Sequence, residues 1–323
     1  MTGYRTIGRM RRLLLPTVAA GLALAATFHP TVEIERRIHD TLLVIDITRS
    51  MNVRDMDGRS RLDASRQMLR SWLAREPCGT RIGLALFTER RSLTLLTPID
   101  VCDDFESLTA TMQALDWRMA WEGDSRISKG LNHAMARAAA LDVSLIFVTD
   151  GQEAPPLPYS GPDAYDGACP SGIIVGAGGA VPAPIPKFDE AGREIGFYTA
   201  SDVQQAPARL GPPPPDAASR PGYNSRNNPY GEADLHGQEH LSALREAYLK
   251  QLASVCGLGF IRLSDGPQAL RQARAEQAGG RLAVSPLNLA PVLGTAALIL
   301  LLVAWAGQRK TLFRISKLGG PQR

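Results

Sequence analysis

Several short runs in this 323-residue sequence are apolar almost without interruption, and each is too short to be a helix. Thr41-Leu42-Leu43-Val44-Ile45 ends at Asp46, Ile82 to Phe87 follows, and Ser144-Leu145-Ile146-Phe147-Val148 leads to Thr149 and Asp150. Ile173-Ile174-Val175 and Phe260-Ile261-Arg262-Leu263 come later. A strand buried on one face alternates apolar and polar residues, so a continuous run implies burial on both faces. Between the runs lie helical patterns. Arg61 to Arg75 carries Leu62, Leu69, Trp72 and Leu73 at helical spacing, a helix is expected to start near Ile127, and another covers about His240 to Val255. Buried strands alternating with helices predict an α/β fold, a doubly wound, Rossmann-like, mostly parallel sheet covered on both sides. One edge departs from this, because Arg91 to Ile99 follows the Ile82 run after only Thr88-Glu89-Arg90. A connection of hairpin length suits an antiparallel edge strand.

The stretch from Ala154 to Leu235 holds 15 of the 23 prolines, including Pro212 to Pro215, and reads as a long surface insertion. Within it, Ile185 to Tyr198 suggests a hairpin around Asp189-Glu190-Ala191-Gly192.

A formal charge of +4 with pI near 9.0 would ordinarily direct attention to nucleic acid. The basic residues, however, are concentrated at the ends: Arg5, Arg9, Arg11 and Arg12 in front, Arg309, Lys310, Arg314, Lys317 and Arg323 behind, with no acid in either tail. Removing those nine leaves 27 basic against 32 acidic residues, a net −5, so a nucleic-acid partner loses its support. Each basic tail abuts an apolar run. Leu287 to Ala306 is uncharged and long enough to span a hydrocarbon core, and the Arg309-Lys310 pair behind it predicts a cytoplasmic C-terminus with the body on the far side. Leu13 to Phe28 is a second candidate, either a signal anchor or a signal peptide cleaved near Ala23-Leu24-Ala25. The expected organisation is thus an N-terminal basic and apolar segment over 1–30, an exported domain over 36–286, a transmembrane helix over 287–306 and a basic cytoplasmic tail over 307–323. Cys78, Cys102, Cys169 and Cys256 form no C-x-x-C pair, which argues against zinc. In an oxidising compartment they allow one or two disulfides, with three connectivities for two bridges; buried free thiols are the alternative.

Ligands of doubly wound sheets bind beyond the carboxyl ends of the strands. The residues expected there are Asp46-Ile47-Thr48-Arg49-Ser50 after the first strand, Gly123-Asp124-Ser125 before the Ile127 helix, and Thr149-Asp150-Gly151 after the central strand. Carboxylates and hydroxyls without His or Cys suit a hard cation: Mg2+, Mn2+ or Ca2+ rather than zinc. The D-x-[ST]-x-S pattern followed later by T-D-G resembles the metal-ion-dependent adhesion site of von Willebrand factor A domains. The resemblance implies that Asp46, Thr48, Ser50, Ser125 and Asp150 hold a divalent cation. Thr48 and Ser125 each exchange one hydroxyl residue for another relative to the family pattern.

Asp46 to Asp55, Phe87 to Ser92 and Leu115 to Arg126 further resemble the MxaL-type proteins of methanol-oxidising bacteria. That likeness implies a periplasmic protein anchored in the inner membrane, a role in maturation or calcium insertion of methanol dehydrogenase, and that enzyme and its accessory proteins as partners. A general von Willebrand A component working with a MoxR-like ATPase through the basic tail is the alternative. Trp117, Arg118, Trp121 and Asp124 lie beside the expected metal loop, and Trp and Arg are over-represented at interface hot spots, so they are candidate partner contacts; core packing of the two tryptophans is the competing reading. His236 and His240 stand at i, i+4 without the acid of a metalloprotease motif. Gly176-Ala177-Gly178-Gly179 follows a strand, but Val181-Pro182-Ala183-Pro184 replaces the helix a phosphate loop needs. No nucleophile has a base beside it, so an enzyme is not expected.

Overall fold

The computed structural model describes residues 3–316 except 122, 158–160, 204–211, 222, 224, 226–228 and 232–237, with backbone alone for 3–13 and 307–316. His236, the arginines of the N-terminal segment as side chains, and the end of the basic tail lie outside the described residues. In chain order the elements begin with α1 (Gly3–Thr27), β1 (Thr31–Ile38), β2 (Thr41–Asp46), α2 (Arg61–Leu73), β3 (Arg81–Thr88) and β4 (Arg91–Asp100). Next come α3 (Phe105–Gln113), α4 (Ile127–Ala140), β5 (Ser144–Thr149), β6 (Gly172–Gly176), β7 (Ala183–Pro184), β8 (Pro186–Phe188) and β9 (Glu194–Phe197). The last are β10 (Leu241–Ser242), α5 (Glu246–Cys256), β11 (Gly259–Arg262), α6 (Gly266–Ala275), β12 (Arg281–Asn288) and α7 (Ala290–Ser316). These divide into two units, one of Arg37–Leu282 and one of the two chain ends.

The larger unit is built on a six-stranded sheet in the order β11-β6-β5-β2-β3-β4. Every neighbouring pair is parallel except β3 with β4, which is antiparallel and forms the edge. Alternate residues of β2 serve opposite faces. Leu43 and Ile45 join Leu69, Trp72 and Ile146 under α2, α3 and α6, whereas Leu42 and Val44 join Phe87, Leu131, Phe147 and Leu249 under α4 and α5. Both faces are covered, which is why these strands carry no polar alternation. The Ser60 side chain accepts from the Asp63 N–H and caps α2. The ring of Phe87 fills the place where α4 crosses β3: a Cβ on Gly130 would lie 2.0 Å from Phe87 Cε2. Gly130→Ala is expected to cost about 1–3 kcal/mol by overpacking, read as a lowered midpoint in denaturant; an unchanged midpoint would show that α4 is free to shift.

The expected insertion over 154–235 needs correction, because it contains β6. All of Gly172–Gly176 is buried between β5 and β11, so this stretch is part of the sheet and the chain outside it divides into two excursions. The second holds the antiparallel hairpin β8–β9, with Gly192 donating its N–H to the Asp189 carbonyl in the turn. The helix expected from His240 starts only at Glu246, since Leu241 and Ser242 pair with Pro184 and Ala183 as a two-residue strand.

Both cysteine pairs are joined, Cys78 to Cys102 and Cys169 to Cys256. The second closes a span of 87 residues, tying the segment before β6 to the end of α5. Replacing both its cysteines by alanine is expected to cost about 2–4 kcal/mol; equal thermal midpoints for the variant and the parent chain would contradict this.

In the smaller unit α1 and α7 pack against each other and β1 pairs with β12. Ala19 and Ala297 are buried there, whereas Leu298, Ile299, Leu301, Leu302, Val303 and Trp305 are exposed. Among the described residues no helix is long and apolar enough to cross a membrane. The span expected over 287–306 is also shortened at its start. Leu287 and Asn288 end β12, and the Asn288 side chain accepts from the Ala290 N–H where α7 begins.

Candidate metal centre

Asp46 is the last residue of β2 and is completely buried. One carboxylate oxygen accepts from the Thr48 N–H at 2.8 Å and the other from the Thr149 hydroxyl at 2.6 Å. The turn thereby formed places the Thr48 and Ser50 hydroxyls 3.4 Å apart, both buried. Asp150, just past β5, is also completely buried. Its Oδ1 accepts from the Gln152 N–H, and its Oδ2 accepts from Arg61 Nη1 at 2.5 Å and from the Ser242 hydroxyl at 2.9 Å. Ser125 is held by backbone bonds, its N–H donating to Ala154 at 2.7 Å and its carbonyl accepting from Ala154 at 2.8 Å. Its hydroxyl is buried and without a hydrogen-bond partner among the described residues. Behind it, Glu153 accepts from the N–H groups of Ile127 and Ser128 at the start of α4, and from Tyr248.

Asp46, Thr48 and Ser50 are therefore joined by hydrogen bonds, and Asp150 lies near enough to Asp46 to perturb it. Burial, and after it the Asp150 charge, pushes the Asp46 carboxyl up to about 7 against the hydrogen bonds from Thr149 and Thr48. Ser125 makes no hydrogen bond to the other four among the described residues.

Sequence reasoning missed the residue that dominates the centre electrostatically. Arg61, the first residue of α2, is fully buried. Besides Asp150 it holds Asp55, through Nε at 3.0 Å and Nη2 at 2.7 Å, and it donates to both the hydroxyl and the carbonyl of Ser242. The glycine-rich turn after β6 serves this group rather than a phosphate. Gly178 has φ +111°, and a Cβ there would lie 2.5 Å from Arg61 Nε, while the Gly179 N–H donates to Asp55 at 2.8 Å. Two carboxylates, Asp55 and Asp150, thus share one guanidinium, and Asp46 lies beside Asp150.

This donor set fits a divalent cation. It offers buried oxygens, more negative than positive charge, and an orphaned hydroxyl at Ser125, a group that costs free energy unless something accepts or donates to it. Because Asp46 must be ionised to hold a cation, affinity is expected to rise with pH through about 7. In the cation-free domain its raised value means that stability is highest where Asp46 is protonated, and falls as pH climbs from about 4 to about 7. Thermal midpoints at pH 5.5 and 8.0 with and without Mg2+ should show a larger gain at the higher pH; an equal gain would contradict the assignment.

Of the candidate partner contacts, Trp121 is exposed and donates Nε1–H to Glu89 at 3.0 Å. Asp124 is exposed and pairs loosely with Arg126 at 3.6 Å. Arg118 is bound to Asp116, and the Trp117 ring stacks on Phe188 of β8 with centroids 4.9 Å apart. Trp117 is therefore packing for the hairpin, not core beneath the loop.

Residues 41–152 match the family of the von Willebrand factor type A domain, and the six-stranded α/β sheet is of that fold. Among solved structures, an aerotolerance-related membrane protein from Bacteroides fragilis aligns at 16% identity and a TM-score of 0.46, over 74% of this chain and 99% of that one. BatB from Bacteroides thetaiotaomicron aligns at 15% and 0.46, over 74% and 98%. Proximal thread matrix protein 1 from the mussel byssus, with its MIDAS motif occupied by zinc, aligns at 16% and 0.30, over 45% and 40%. No curated protein matches the chain.

Proposed function

We propose that this chain is a cation-dependent binding and assembly module rather than an enzyme. The observation that carries the proposal is the excess of buried negative charge at the ends of β2 and β5, with the Ser125 hydroxyl unpartnered beside α4. Asp46, Thr48, Ser50, Ser125 and Asp150 would hold the ion, Mg2+, Ca2+ or Mn2+. Once bound, the cation supplies a positive charge that an acidic side chain of a partner can share. The exposed Trp121 and Asp124, with Trp117 and Arg118 beneath the β8–β9 hairpin, form the adjoining rim.

An inner-membrane location with the domain in the periplasm is supported by the two disulfides and by the exposed apolar residues of α7, which no charge interrupts from Ala290 to Ala306. Arg309, Lys310 and Arg314, towards the end of α7, would lie on the cytoplasmic side. The sequence likeness of the Leu115 to Arg126 segment names methanol dehydrogenase and its accessory proteins as the partners, with assembly or calcium insertion as the task. Methanol dehydrogenase isolated from a strain lacking this protein should accumulate without its calcium. Normal, calcium-loaded enzyme would remove that partner and leave the general von Willebrand A module, working with a MoxR-like ATPase, as the reading.

A further inference from the structure

At the opposite ends of the parallel strands from Asp46 and Asp150, the charge balance reverses. A cavity of about 530 Å3 opens there, lined by His39, Asp40, Arg81, Ser144, Ser171 and Arg281 among others. That size suits a small organic ligand. Asp40, almost fully buried, is gripped from two sides: Arg81 donates through Nε at 2.8 Å and Nη2 at 2.6 Å, and Arg281 through Nε at 2.9 Å and Nη2 at 3.2 Å. One carboxylate thus answers two guanidinium groups. The Nη1 group of each arginine makes no hydrogen bond to the protein among the described residues, and both side chains remain about half exposed.

A third arginine adds charge from below. Arg274 is 6% exposed, stacks on Trp72, and donates Nη2 to the His39 carbonyl at 2.6 Å. Among the described residues its buried Nη1 has no hydrogen-bond partner and the side chain makes no ion pair. It lines a water-sized chamber together with His39 and Ser144, and both of these also line the larger cavity. Burial, then the charges of Arg274 and Arg37, hold His39 below its ordinary value, as a positive local field requires. Against Arg37, Arg81, Arg274 and Arg281 stand Asp40 and Asp142, with Asp100 acting on Arg281 and Glu76 on Arg274 at range.

The Asp40 cluster alone would account for fixing Arg81 and Arg281, but not for the Arg274 Nη1 group, which has no acceptor among the described residues and lies in the small chamber behind His39 and Ser144. We propose that this cavity is a binding site for a phosphate-bearing ligand, held by the free edge of Arg81 and the Nη1 group of Arg281, whose Nη2 is committed to Asp40 and the Gly79 carbonyl, with Arg274 supplying charge from beneath. Planar guanidinium forks match phosphate oxygens, and the Ser171 hydroxyl is placed to add a donor. The ligand is either a soluble phosphate ester or the headgroup of an anionic phospholipid.

The test uses the full chain in dodecyl maltoside. Inorganic phosphate and glycerol 3-phosphate are titrated by calorimetry, alongside dihexanoyl phosphatidylglycerol and dihexanoyl phosphatidylcholine. Saturable phosphate binding is expected, weakened roughly tenfold or more in Arg81→Gln, which leaves Asp40 paired with Arg281. Ala168→Trp, at an exposed lining position, should block it without touching the core. Tighter binding of glycerol 3-phosphate than of the lipids assigns a soluble ester, and tighter binding of phosphatidylglycerol than of phosphatidylcholine assigns a headgroup. No saturable binding, or equal binding by the parent and Ala168→Trp, overturns the proposal, and that variant decides should Arg81→Gln fail to fold.

Discussion

Replacing Arg61 with methionine is expected to destabilise the domain by about 3–5 kcal/mol, the loss typical of removing one partner from a buried ion pair. The guanidinium is fully buried, and no solvent can take over its role for Asp150, which is buried as well. Asp55 would lose three hydrogen bonds, and Ser242 would lose the donor to its carbonyl. Methionine nearly fills the space, so the effect reports charge and hydrogen bonding more than a cavity. Removal of the Arg61 charge also makes the ionised forms of Asp55 and Asp150, its two ion-pair partners, less favourable. Adding Asp55→Asn and Asp150→Asn to Arg61→Met should recover part of the loss. Urea unfolding of the three proteins checks this; a loss below about 1 kcal/mol for Arg61→Met would show that water reaches the centre after all.

Asp46→Asn carries the second large effect, and its sign is opposite in the absence of metal. An amide keeps an acceptor for the Thr48 N–H while removing a buried charge that repels Asp150. The cation-free variant should therefore be at least as stable as the parent at pH 8, where the parent carries the ionised carboxylate. With a divalent cation the order reverses. The parent gains stability by binding and the variant does not, because loss of a charged ligand lowers affinity on the order of a hundredfold. Thermal midpoints of both proteins with EDTA and with saturating Mg2+ or Ca2+ give four values whose crossing is the expected result. A variant destabilised under both conditions would mean that Asp46 is a structural acceptor for Thr48 and Thr149 and nothing more.

The sheet was legible because its signal is local. Continuous apolar runs announce strands buried on both faces, and the three-residue link before Arg91 identified the antiparallel edge. The short strand β10 was not legible, since Leu241-Ser242 is strand only because Ala183-Pro184 lies beside it. Proline density drew β6 into an apparent insertion, although Ile173-Ile174-Val175 carries the same apolar signal as β2 and β5. The oxygen ligands were readable from spacing in short loops, but Arg61 was not. Its acceptors lie 89 residues away in Asp150 and 181 away in Ser242, and an arginine heading an amphipathic helix looks like any solvated helix end. The cysteine pairing likewise depends on which loops the sheet brings together, and four cysteines permit three arrangements. The glycine run after β6 invited a phosphate-loop comparison, yet its function is to let the Arg61 guanidinium approach the backbone.

The proposed ion lies between the buried carboxylates and hydroxyls at the ends of β2 and β5. Titration of Mn2+ into the full chain, followed by the paramagnetic resonance of free Mn2+, tests this most directly. One saturable site per chain is expected at pH 8, displaced by Mg2+ or Ca2+ and absent in Asp46→Asn. No saturable uptake, or equal uptake by Asp46→Asn, would overturn this and leave Asp150 as a structural partner of Arg61 and Asp46 as an acceptor for Thr48 and Thr149.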